Sequence, residues 1–61
     1  MPMSGRAMLK LFEASGWTLI RQKGSHCQMR NPSGAMETIP LHRELKKGLE
    51  RKLLKRLRSE K

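Results

Sequence analysis

Four interruptions divide this chain: Gly16, Lys23-Gly24-Ser25, Asn31-Pro32-Ser33-Gly34 and Pro40. Glycine accepts backbone angles that other residues avoid. Proline fixes its own angle and lacks an N–H, so each interruption ends the element before it. Ahead of Gly16, Ser4 can cap a helix by accepting a hydrogen bond from the first turn. Met8, Leu9, Leu11 and Phe12 then recur at helical spacing, with Lys10 and Glu13 between them. The spacing predicts a first helix over 4–15, ended by Gly16 in the left-handed position, with Trp17 folding back onto its last turn. Residues 17–22 hold Trp, Thr, Leu and Ile, which suit a pleated, half-buried strand. After the turn at 23–25, residues 26–30 alternate short apolar with polar side chains. A second turn at 31–34 leads to a third strand over 36–39, which Pro40 closes. Three short runs joined by short turns make an antiparallel meander the economical topology.

Residues 41–47 read as a connection, with His42 near its start. Gly48 is an acceptable N-cap, and Leu49, Leu53, Leu54 and Leu57 form one apolar stripe that Leu45 extends. Glu50 suits the positive start of a helix dipole, and Lys55, Arg56 and Arg58 suit its negative end. The second helix is therefore expected from about 48 to 58, with frayed residues beyond it. The order α-β-β-β-α predicts one α+β domain over 1–61, with two helices on one face of a three-stranded antiparallel sheet. That is the layout of a double-stranded-RNA-binding domain in compact form.

A chain this small often needs a disulfide, a metal or a partner for stability. Cys27 is the only cysteine, so no disulfide can form within the chain, and a reducing cytoplasm is the natural compartment. Cys27, His26 and His42 are too few soft ligands for a structural zinc site, and neither metal nor other cofactor is expected. The longest apolar run is three residues, too short to span a membrane, and Met1-Pro2-Met3-Ser4 lacks the apolar core of a signal peptide. Net charge is +9, and residues 43–61 carry most of it, with nine Lys/Arg against three Glu. Such a balance favours a polyanion or a strongly acidic protein as partner. A membrane surface fits less well, because the basic segment has no aromatic anchor.

The segment Arg21-Gln22-Lys23-Gly24-Ser25-His26 carries the chemistry. Histidine exchanges a proton near neutral pH, its unperturbed pKa being about 6.5. Lys and Arg attract phosphate. A proton-transfer group beside a phosphate-sized turn, in a cationic domain, points to a protein that binds RNA and can cut it. The plainer alternative is a histidine that is structural or merely exposed. Trp17 reads as core, and with one Trp, one Phe and no Tyr there is little surface for stacking bases.

Taken in order, the motifs resemble those of the HicA family of bacterial toxin–antitoxin systems. Gly16-Trp17 is similar to the family's Gly-Trp, and Arg21 to His26 to its catalytic strand and turn. Ile39-Pro40-Leu41-His42 resembles its Val-Pro-x-His segment, and Leu45-Lys46-Lys47-Gly48-Leu49 the Lys-Gly opening of its last helix. The resemblance implies a small mRNA interferase that cleaves mRNA and arrests translation. It also implies a monomer when free that is neutralised in a hetero-oligomer with a cognate HicB-type antitoxin. The family's catalytic histidine maps onto His26. Many members carry a second histidine where this chain has Cys27. Adjacent strand residues point to opposite faces, so Cys27 is expected to face away from His26 and the change to be silent.

On this reading His26 is the general base on the ribose 2′-hydroxyl. Arg21 and Lys23 bring positive charge to the phosphate, and Gly24 and Ser25 offer backbone N–H groups to a non-bridging oxygen. No metal is required. The general acid is open: His42 qualifies only where the fold brings it to His26, and otherwise supports the loop before the second helix. Two other functions remain in view, a non-catalytic RNA-binding module and a basic domain that mainly binds an acidic protein.

Overall fold

The computed structural model describes residues 2–59. Its elements are α1 (Gly5–Ala14), β1 (Thr18–Lys23), β2 (His26–Arg30), β3 (Met36–Pro40) and α2 (Lys47–Ser59). The α-β-β-β-α order is the one read from the sequence. Ser4 is the N-cap of α1, its hydroxyl accepting from the Ala7 N–H at 3.0 Å. Gly16 ends the helix with φ +96°, and the Trp17 N–H returns to the Phe12 carbonyl at 3.0 Å. The indole is buried and meets the Phe12 ring edge-on at 4.9 Å, so Trp17 belongs to the core.

The sheet runs β1-β2-β3 and is antiparallel throughout. Cys27, Met29 and Ile39 point to one face and are fully buried there with Met8, Phe12, Leu45 and Leu53. Both helices therefore cover the same face, and His26, Gln28 and Arg30 line the other. Glu37, opposite Met29, lies on the helix side. Its carboxylate takes the Arg56 Nε–H at 3.2 Å and pairs with Lys52 Nζ at 3.8 Å. Two of α2's cations are thus committed to holding that helix on β3.

Three details depart from expectation. All of β1 is exposed rather than half-buried, and the buried strand positions belong to β2 and β3. The first hairpin turn is two residues, not three: Lys23 is the last strand residue, opposite His26. Gly24 has φ +58° and no described non-glycine residue, Ser25 included, has a positive φ, the pattern of a type II′ turn, which matches the twist of the strands it joins. Gly48 lies inside the first turn of α2 rather than capping it, since the Lys46 carbonyl already accepts the Glu50 N–H at 2.9 Å. The helix includes Ser59, and the fraying expected beyond it concerns residues 60–61, which lie outside the described part of the chain.

The second turn is organised by Asn31, which is buried. Its side-chain oxygen accepts from the Ala35 N–H at 2.8 Å and from the Ser33 hydroxyl at 3.0 Å, and its own N–H donates to the Ala35 carbonyl at 3.0 Å. Replacing it with alanine removes the acceptor of the part-buried Ala35 N–H, a loss of about 1 kcal/mol. Asn31→Ala is expected to lower the urea midpoint with an unchanged slope. An unmoved midpoint would show that this network adds nothing to stability.

Candidate active site

The open face of the sheet is built by pairing. β2 is the central strand, so His26, its first residue, is held on both sides: Lys23 of β1 is opposite it on one flank and Pro40 of β3 on the other. Two residues along β2 on the same face is Gln28, opposite Arg21 and Thr38. Arg21, Lys23, His26, Gln28 and Thr38 together line an open cleft of about 240 Å³. Cys27 is buried on the far side of the sheet, so a group at that position cannot reach the cleft.

Arg21 and Lys23 reach this face through an irregularity in β1. Leu19 is opposite Met29, on the helix side. Unbroken alternation would put Arg21 and Lys23 on that same side. Instead Arg21 is opposite Gln28, the next position along β2, and Ile20 is the extra residue of a β-bulge. The bulge turns both cations toward His26. Among the described residues neither forms an ion pair, so their charge is available to an anion.

Gly24 and Ser25 form the turn that joins Lys23 to His26. The Gly24 carbonyl accepts from Gln22 Nε2 at 3.1 Å, and the Ser25 carbonyl accepts from the Leu41 N–H at 2.6 Å. Both carbonyls are thus engaged within the protein, and neither Gly24 nor Ser25 is among the residues that line the cleft.

The fold also brings in His42. Its ring lies 6.5 Å from that of His26, centre to centre, and perpendicular to it. Its carbonyl accepts from the Gly5 N–H at 2.9 Å. The main chain of His42 thus supports the connection before α2, while its side chain joins the site. Of the residues singled out in the sequence, Arg21, Lys23 and His26 line the cleft, while Gly24 and Ser25 lie in the adjoining turn; His42 was conditional on the fold, and Gln28 and Thr38 were not singled out. Gln28 could have been found, since it follows His26 by two in a strand. Thr38 has no such signal, because it depends on the register between β2 and β3. A second groove, about 360 Å³, runs along Glu37, Lys52, Lys55, Arg56 and Ser59. It holds no imidazole, and Glu37 already neutralises part of its charge.

Among the described residues no three His, Cys, Asp or Glu side chains gather as a metal set, and no described helix is long and apolar enough to cross a membrane.

Comparisons with known proteins bear on this geometry. A family model described as "HicA toxin of bacterial toxin-antitoxin" matches residues 5–58. A solved structure described as a toxin–antitoxin complex from Streptococcus pneumoniae is similar over 92% of this chain and 97% of its own, with 42% identity and a TM-score of 0.75. A comparison with curated proteins finds no match.

Proposed function

Because the chain belongs to the HicA toxin family, we propose that it is a metal-independent endoribonuclease that cleaves mRNA, with His26 as general base on the ribose 2′-hydroxyl. The observation that carries this reading is the open-face cleft, in which an exposed imidazole is flanked by two unpaired cations and no carboxylate. RNA supplies its own nucleophile, so the protein needs only to move protons and stabilise charge. His26 takes the 2′-hydroxyl proton, a role that contributes about 10² to 10⁴ in rate. Arg21 and Lys23 stabilise the charge that grows on the phosphorane oxygens, and the N–H groups of Gly24 and Ser25 hold a non-bridging oxygen. Gln28 and Thr38 extend the polar floor along which a strand can lie.

Cleavage of mRNA arrests translation, so the activity must be held in check. The family and the toxin–antitoxin neighbour support a cognate antitoxin as partner. The net charge of +9 favours an acidic, HicB-type one, in a hetero-oligomer formed from a free monomer in the cytoplasm.

The test is the chemistry of the products. Purified protein in excess chelator is expected to cut RNA to ends bearing a 2′,3′-cyclic phosphate and a 5′-hydroxyl. It should leave intact an oligonucleotide with 2′-deoxyribose at the cut site. Cleavage of the deoxy substrate, or 5′-phosphate ends, would mean that the 2′-oxygen is not the nucleophile and that His26 has no proton of this kind to remove.

A further inference from the structure

A base alone leaves the reaction incomplete. When the 2′-oxygen bonds to phosphorus and the P–O5′ bond breaks, O5′ departs as a strongly basic alkoxide unless a proton reaches it. We infer that His42, as its imidazolium, is the general acid that protonates O5′. The inference rests on the nuclease reading above.

Three observations carry it. First, the two rings lie 6.5 Å apart and perpendicular, with both residues exposed. A proton-transferring nitrogen works at about 3 Å from its oxygen. Rings at this spacing can therefore serve the entering and the leaving oxygen of one phosphodiester. Second, the pair is fixed by backbone rather than chance. The Leu41 N–H ties the strand end before His42 to the Ser25 carbonyl, next to His26, and the Gly5 N–H holds the His42 carbonyl. Third, the other cations near His26 serve this step poorly. A guanidinium does not give up its proton in proteins. An ordinary lysine ammonium, with a pKa of about 10.4, is a much weaker acid than an imidazolium. Among charged groups, strand pairing brings Lys23 opposite His26 and Arg21 opposite Gln28, and Arg43 and Glu44 follow His42 directly in the chain, as Arg6 follows Gly5.

The step balances. His26 gains the proton from the 2′-hydroxyl, His42 loses one to O5′, and the products are a cyclic phosphate and a 5′-hydroxyl. Exchange with solvent then restores both rings.

The experiment compares ordinary RNA with an RNA whose scissile 5′-oxygen is replaced by sulfur, because a thiolate leaves without a proton. His42→Ala and His42→Gln are expected to cut ordinary RNA about 10²- to 10⁴-fold more slowly than the parent and to recover most of the rate on the thio substrate. His26→Ala should stay slow on both. The parent should give a bell-shaped pH profile, and the His42 variants should lack its alkaline limb. Thermal melting of both variants guards against misfolding, and since the structural contact of His42 is made by its carbonyl, both are expected to melt near the parent. His42 variants as fast as the parent on ordinary RNA, or equally slow on both substrates, overturn the assignment. A parent that cuts neither substrate overturns the nuclease reading itself.

Discussion

His26→Ala is expected to lower the rate of RNA cleavage by about 10² to 10⁴, and with it growth arrest in cells, while folding and RNA binding stay near those of the parent. The argument is positional. His26 is exposed at the first position of β2, on the face that the helices leave open. Its side chain contributes nothing to the core of Met8, Phe12, Trp17, Met29, Ile39, Leu45 and Leu53. Its place in the ladder is made by backbone groups that alanine retains. Binding is expected to survive because the variant keeps Arg21, Lys23 and the cations of α2, and phosphate contacts supply a large share of the affinity of a cationic domain for nucleic acid. A quantitative cleavage assay beside a filter-binding titration reads both halves. A variant that cuts RNA as fast as the parent would remove His26 from the chemistry. A parent that binds RNA but never cuts it would favour a non-catalytic RNA-binding module.

Gly5→Ala is expected to be strongly destabilising, because Gly5 is the glycine whose added Cβ meets backbone atoms at under 3 Å. Gly5 is buried at the start of α1, where a Cβ would run into the carbonyl oxygen of Pro40 and lie 2.8 Å from the Leu41 Cα. Both neighbours are backbone, so no flexible side chain can swing aside. Overpacking of this kind costs about 1–3 kcal/mol, and more where relief is blocked. At about 0.05–0.15 kcal/mol per residue, a domain this small has only a few kcal/mol in total. Each kcal/mol is worth about 4–8 °C in a domain of this length. A fall in melting temperature of about 10 °C or more is therefore expected by calorimetry. The same contact holds His42 through the Gly5 N–H, so residual folded protein should also cleave slowly. Gly48→Ala is the control. It lies within α2 with nothing within 4 Å of its Cβ position, and should stabilise by about 0.5–1 kcal/mol through helix propensity. An unchanged melting temperature for Gly5→Ala would show that α1 and the Pro40–Leu41 segment are not in close contact.

The two substitutions show how unevenly the site is written into the chain. Nothing around Gly5 marks it in the sequence, where it reads only as a residue after a helix cap. The order of elements, by contrast, follows from local signals. Ser4 caps, Gly16 and Gly24 adopt positive φ, and Asn31-Pro32-Ser33-Gly34 turns. Each of these is decided within a few residues by sterics and hydrogen bonding. The family was legible in the same way, through four short motifs in order, and the chain does belong to it. That Cys27 and His26 face opposite sides also follows from adjacency alone in a strand.

What the sequence determined by itself was therefore the set of elements, the family and the position of one imidazole. Only the tertiary structure decided which groups share its face. Arg21 and Lys23 join His26 because a bulge at Ile20 reverses the alternation begun at Leu19, and a bulge exists only when one strand is paired with another. His42 is sixteen positions away, and its 6.5 Å approach depends on two backbone hydrogen bonds, from the Leu41 N–H to the Ser25 carbonyl and from the Gly5 N–H to the His42 carbonyl. Local preferences fix φ and ψ one residue at a time. The meeting of distant side chains is fixed by strand register and by close backbone contact, and these are properties of the packed chain.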